Sequence, residues 1–212
     1  MSSRSRGNIP RRGTLVLAST SPQRRAILDQ LRIPYEAVAP RYEEHDPPDA
    51  DPVELVRAHA VGKARSVHVP GRPTLGVDTT VHLGRRVYAK PVDADDAAAM
   101  LSELSGRTHA VLSGLCLVTD HGERVEHAET LVTFRPLDDE AITAYVASGE
   151  WAGRAGAYAI QGLGGRLVER IEGDYLNVVG LPGALLLDVL EAEAPAVLRE
   201  GRSSTARLHS AD

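Results

Sequence analysis

The chain has 212 residues, 42% of them hydrophobic and only 4% aromatic, enough for one large domain or two intimate lobes with a core of Val, Leu, Ile and Ala. A formal net charge of -5 excludes a general basic surface for a nucleic-acid polymer, so local Arg and Lys clusters point to a confined anion site. No apolar run approaches the length that spans a bilayer, and the single cysteine, Cys116, has no internal disulfide partner, which suits an inert thiol in a reducing cytosol.

Residues 1–13 carry Arg and Ser without an apolar h-region, so they are expected as a disordered leader rather than a secretory signal. The folded domain is expected over 14–194 and a flexible tail over 195–212. Residues 15–25 read Leu-Val-Leu-Ala-Ser-Thr-Ser-Pro-Gln-Arg-Arg. A strand over Leu15–Ala18 runs into a helix with Ser21 as N-cap and Pro22 at the first position. Ala26, Ile27, Leu28 and Leu31 form its apolar side. Free backbone N–H groups at such a helix start attract an anion. Ser19 and Ser21 add hydroxyls, and Arg24 and Arg25 add fixed positive charge, so the junction suits phosphates.

Tyr35–Ala39 reads as a second strand and 42–52 as an acidic, proline-rich loop in which Glu43 and Glu44 form a solvated charge run. A helix is expected over Asp51–His68, with the stripe Val53, Val56, Ala60, Ala64 and Val67. Lys63 falls inside that stripe. Either it snorkels with a buried stem, or it points into a cleft toward a phosphate. Thr74–Leu83 reads as a strand, with Gly84-Arg85 as the turn into another that ends at Pro91. Period two puts Leu75, Val77 and Val81 on one face and Gly76, Asp78 and Thr80 on the other. Strands disfavour Asp, so Asp78 either caps a turn or is held by an edge, a hydrogen bond or a cation. Lys90 taken alone is a surface charge.

Asp93 caps a helix through Leu104, with Gly106 just past its end. Thr108–Thr119 and Arg124–Arg135 read as long strands joined at Asp120-His121-Gly122. A helix follows over Asp138–Ser148, then the glycine-rich segment 153–165. Its Gln161 offers a donor and an acceptor suited to a base edge. The segment carries neither the Walker pattern nor the dinucleotide fingerprint. A strand over Arg166–Ile171, a turn at Gly173-Asp174 and a last helix from Pro182 to about Glu193 complete the chain. This order predicts an α/β fold: a mixed twisted sheet with flanking helices. His45, His59, His68 and His109 are expected at the surface, without metal-ligand spacing.

Several stretches together resemble the Maf family of nucleoside triphosphate pyrophosphatases. They are Leu-Ala-Ser-Thr-Ser-Pro-Gln-Arg-Arg, Gly-Val-Asp-Thr-Thr, Lys90-Pro91, Leu-Ser-Gly-Arg-Thr-His, Val-Thr-Phe-Arg-Pro-Leu, Ala-Gly-Ala-Tyr-Ala-Ile-Gln-Gly-Leu-Gly and Ile-Glu-Gly-Asp-Tyr-Leu-Asn-Val-Val-Gly-Leu-Pro. They come in family order over nearly all of 14–190. The resemblance implies two lobes around a central cleft, as in inosine triphosphatases. It also implies hydrolysis of a nucleoside triphosphate, a pyrimidine such as dTTP or UTP or a modified nucleotide, to the monophosphate and pyrophosphate. By the family pattern Ser19 and Arg24 sit at the phosphates, with Arg25 beside them, and Glu44, Lys63, Asp78 and Lys90 complete a charged cleft. Asp78 matches the proton acceptor, and Glu44 with Asp78 would hold a divalent cation, Mg²⁺ or Mn²⁺. A cytoplasmic homodimer is implied as well. Base choice is associated with three positions, here Gln23, Thr79 and Gln161. Thr79 and Gln161 match the dTTP/UTP branch. Gln23 replaces its usual arginine and also differs from the tryptophan of the 7-methyl-GTP branch. The alternative from another class is a nucleotide-binding regulator of cell division or septation with little turnover.

Overall fold

Local capping rules set most element boundaries. In the computed structural model, which describes residues 13–47 and 50–208, strand β1 (Leu15–Ala18) leads into α1 (Pro22–Gln30), whose cap Ser21 accepts from the Arg24 amide. After β2 (Tyr35–Val38), Asp51 caps α2 (Pro52–Val67) through the amides of Val53 and Glu54. The hairpin β3 (Thr74–Leu83) and β4 (Arg86–Tyr88) precedes α3 (Ala94–Leu104), capped by Asp93. The long hairpin β5 (Thr108–Thr119) and β6 (Gly122–Phe134) precedes α4 (Asp139–Ala147), capped by Asp138. Two short 3-10 turns, Ala155–Ala157 and Leu163–Arg166, lead to β7 (Val168–Glu172). The chain then forms α5 (Tyr175–Val179), α6 (Gly183–Glu193) and α7 (Pro195–Leu208).

The strands form one mixed sheet in the order β2-β1-β3-β5-β6-β7, with β4 attached to β3. β1 runs parallel to both β2 and β3, and the remaining pairs are antiparallel. Alternation along β3 and β5 divides the core. Leu75, Val77, Leu115 and Leu117 face an apolar cluster with Ile27, Leu28, Leu186 and Leu190. A second cluster gathers Val81, Tyr88, Leu101, Leu104, Phe134 and Tyr158, and Val179 packs against both. These clusters are the cores of two lobes on a shared sheet. On the opposite face α2 lies over Cys116 and Val118 through Ala60 and Ala64. Burial pushes the Cys116 thiol up to about 12, which makes it inert.

Several expectations are corrected. Ala26 is exposed, and Val53 and Val67 are half-buried at the two ends of α2. β4 stops at Tyr88 rather than Pro91, and β7 begins at Val168 rather than Arg166 and ends at Glu172 rather than Ile171. The turn at Gly173-Asp174 is the entrance to α5, where Asp174 caps the Leu176 amide. Residues 195–201 belong to the packed body, not to a tail. Pro195 opens α7, Val197 is fully buried in the first cluster, and Gly13 packs against Glu200. The rest of the expected leader, 1–12, and the end of the expected tail, 209–212, lie outside the described residues. His59 and His109 are buried, at 3% and 1% exposure, because α2 and β5 carry them into packed ground. Among the described residues, no helix is long and apolar enough to cross a membrane.

Candidate functional site

A gap in one sheet edge creates the site. β3 pairs with β1 only through Val16↔Thr74 and Leu17↔Leu75, and with β4 only from Val81 onward. Residues 76–80 therefore lack a strand neighbour on that edge, while β5 continues on the other. β1 ends beside the gap, so the gap lies at the carboxyl end of a strand of this open α/β sheet. A cavity of about 620 Å³ opens there, lined by Ser19, Arg24, Glu44, Lys63, Asp78 and Lys90 among others.

Asp78 sits in this gap, and close helix approach supplies its partner. Side chains at Gly76 and Gly114 would collide with the α2 backbone at Ala60 and Val56. Gly114 is the register partner of Asp78. The missing side chains let α2 lie against the sheet and bring Lys63 over the carboxylate. Lys63 Nζ lies 2.5 Å from Asp78 Oδ1 and 2.5 Å from Glu44 Oε1, with the lysine only 8% exposed. A buried ammonium is tolerated because two carboxylates compensate it. The lysine thus points into the cleft instead of snorkelling, and Asp78 is an ion-paired strand residue rather than a turn cap.

The opposite face of β3 holds Arg24. Its Nε donates to Gly180 O at 3.0 Å, Nη1 to Ser19 Oγ at 3.2 Å and Nη2 to Thr79 Oγ1 at 3.3 Å. Thr79 also bonds Ser113 Oγ at 2.8 Å, so its hydroxyl, expected to bear on base choice, is occupied with orienting the arginine. α5 fixes the Gly180 carbonyl: buried Asn177 donates to Val111 O and Thr130 Oγ1, both at 3.0 Å. Burial lowers the Arg24 pKa, and the nearby Asp78 and Glu44 oppose that shift.

The remaining expected residues divide. Gln23 lines the cavity and its Oε1 accepts from Ser21 Oγ at 3.0 Å. Lys90 and Gln161 are exposed on the far wall. Arg25 is exposed on α1 and does not line the cavity. Sequence reasoning missed Arg154, a lining residue whose buried Nε has no hydrogen-bond partner among the described residues. A bond from the Gly156 amide to Ala89 O ties its loop to the segment carrying Lys90. An arginine between Gly153 and Ala155 in a loop carries no local mark of this role. Among the described residues, no group of three or more His, Cys, Asp or Glu is placed to hold a metal ion. Glu44 and Asp78 converge only as a pair.

The cleft thus combines a carboxylate pair, a buried ammonium and several arginine or lysine groups, an arrangement suited to a polyanion and a polarised water. The dTTP/UTP pyrophosphatase of Gloeobacter violaceus is 46% identical over 178 residues, which cover 83% of this chain and 94% of that protein. That of Symbiobacterium thermophilum is 48% identical over 170 residues, covering 79% and 88%. A solved HAM1 protein from Coxiella burnetii covers 84% of this chain and 99% of its own at 16% identity, with a TM-score of 0.48, too slight a likeness to bear on the argument. The family model for Maf-like proteins matches residues 14–193, and with that span and these relatives the chain belongs to the Maf-like family.

Proposed function

We propose that this chain is a nucleoside triphosphate pyrophosphatase that splits dTTP or UTP into the monophosphate and pyrophosphate. The observation that carries the reading is Lys63 held between Asp78 and Glu44 in the cavity that also receives Arg24. The names of relatives at 46% and 48% identity support the pyrimidine substrates.

Phosphoryl chemistry is mainly positioning and charge stabilisation. Arg24, Lys63, Lys90 and Arg154 would hold the phosphates, and Ser19 would keep the Arg24 fork aimed. Asp78 would orient a water and take its proton as the water oxygen adds to phosphorus and the α–β P–O bond breaks. Pyrophosphate then leaves. Gln23 and Gln161 would meet the base.

Two carboxylate oxygens suit a hard divalent ion that also binds substrate phosphates, whereas an all-protein cage needs more donors. Glu44 and Asp78 fit Mg²⁺ or Mn²⁺ in that limited sense, and the ion would supply charge neutralisation at the phosphates. The family resemblance extends the proposal to a homodimer in the cytoplasm.

The test incubates the purified chain with dTTP, UTP, CTP, ATP and GTP in Mg²⁺ or Mn²⁺ and follows pyrophosphate. The highest kcat/KM is expected for dTTP or UTP. Orthophosphate as the sole product would overturn the reading in favour of a general phosphatase. No product from any nucleotide would overturn it in favour of a binding regulator.

A further inference from the structure

We propose that His59 is a positioning residue: it anchors a clasp on α2 that seats segment 41–47 and thereby places Glu44 against Lys63 and Asp78. This rests on the reading of Glu44 as part of the working cleft. Residues 59, 62, 63 and 66 fall three or four apart and share one face of α2. The segment runs along that face in the opposite direction. The Arg41 amide donates to Ser66 Oγ at 3.0 Å, and the same hydroxyl donates to Lys63 O at 2.8 Å. The Tyr42 ring lies against Gly62, where any side chain would collide with it. Tyr42 Oη lies 3.0 Å from His59 Nδ1, with the two rings edge-on at 5.7 Å. Asp46 Oδ1 lies 2.7 Å from His59 Nε2.

The proton positions follow from donor chemistry. An ionised carboxylate only accepts, so His59 Nε2 carries the proton toward Asp46. In the neutral ring Nδ1 then accepts from the Tyr42 hydroxyl. Both ring nitrogens are used, and each holds a different end of the segment. Glu44 lies midway. Tyr42, Glu44 and Asp46 are alternate residues of the segment, and all three side chains reach α2. Glu43 and His45 lie between them and are exposed. Held through Tyr42 and Asp46 on either side, Glu44, rather than its acidic neighbour, meets Lys63. Glu44 itself keeps 49% side-chain exposure, so its ion pair alone is a weak tether. The buried imidazole supplies the fixed point.

The test uses the full chain in wild-type, His59→Leu, His59→Gln, Asp46→Ala and Glu44→Gln forms, with hydrogen exchange of amides 41–47 and dTTP kinetics. In His59→Leu and Asp46→Ala, exchange over 41–47 should rise at least tenfold. Their kcat should fall at least fivefold toward that of Glu44→Gln, while KM moves less than threefold. His59→Gln should recover part of both. Adding His59→Leu to Glu44→Gln should lower kcat less than twofold further, since both changes act through one carboxylate. Unchanged exchange in His59→Leu and Asp46→Ala would overturn the clasp whether or not the chain turns over dTTP. Faster exchange with kcat within twofold of an active wild type would overturn the link to Glu44. A wild type that releases no pyrophosphate would instead overturn the proposed function. Asp46 is exposed, so Asp46→Ala keeps the test available if His59→Leu fails to fold.

Discussion

Asp78 is the residue where two opposing demands meet: a strand position that disfavours carboxylates and an open edge where a carboxylate can work. Its ion pair with Lys63 holds it in place, and the gap beside it opens onto the cavity. Asp78→Asn keeps the size of the side chain and removes its charge. Steady-state kinetics should show kcat lower by roughly 10²–10⁴-fold, the usual contribution of a positioned base, in a chain that still folds but melts lower because Lys63 loses one of its two compensating charges. A kcat near the wild-type value would remove Asp78 from the chemistry. Arg154 has a different part. Its buried Nε is unpartnered among the described residues, so the guanidinium has hydrogen-bonding capacity to give a ligand. Arg154→Met should raise the dTTP KM by roughly tenfold, with a smaller change in kcat, as the loss of one charge-assisted hydrogen bond predicts. Inhibition by added pyrophosphate should weaken in parallel. An unchanged KM and unchanged pyrophosphate inhibition would show that the arginine faces the cavity without binding phosphate.

At the scale of elements, the site depends on how closely α2 approaches the β3–β5 pair. Gly114 is buried under the α2 backbone at Val56 and stands opposite Asp78. Gly114→Val should push the helix outward, lower stability by roughly 1–3 kcal/mol as overpacking does, and loosen the Lys63–Asp78 pair. Urea unfolding and kcat should both report the change. A loss of stability with kcat intact would mean that the lysine follows the sheet independently of its helix. The sequence already showed α2 and β3, because caps and periodicity are local signals, and it singled out Lys63 as a charge inside an apolar stripe. The gap beside Asp78 was not legible there, because it arises from where β1 stops and β4 begins in the pairing register. For the same reason Arg154 passed unnoticed and His59 was expected at the surface: their environment comes from other segments of the chain. α5 was overlooked although Asp174 and Gly180 bracket it, since five residues are too few to show a helical period. α7 was overlooked because one buried valine does not stand out in a polar stretch.

Both lobes are built on one sheet, so destabilising one core should lower the melting temperature of the whole molecule. His109 provides the means. Its ring is 1% exposed, edge-on to Phe134 and Tyr158, with Nε2 at 2.9 Å from the Tyr158 hydroxyl and Nδ1 without a partner among the described residues. Burial, with a smaller contribution from His82, pushes its pKa down from 6.5 to about 4. Above pH 6.5 the imidazole is neutral in the folded and the unfolded chain, so its stabilising contribution is constant. Between 6.5 and about 4 the unfolded chain binds a proton that the folded chain excludes, and stability falls as pH falls. At about 1.4 kcal/mol per pH unit, the loss across that window is about 3 kcal/mol. His109→Gln keeps a hydrogen-bonding group beside Tyr158 and cannot be protonated. It should start less stable at pH 8, because the ring contacts are lost, yet lose less stability than wild type between pH 6.5 and 4. Thermal melts of both forms across that range measure the difference. Parallel curves would mean that the proton is taken up elsewhere, while two separate transitions at low pH would mean that the lobes unfold independently despite their common sheet.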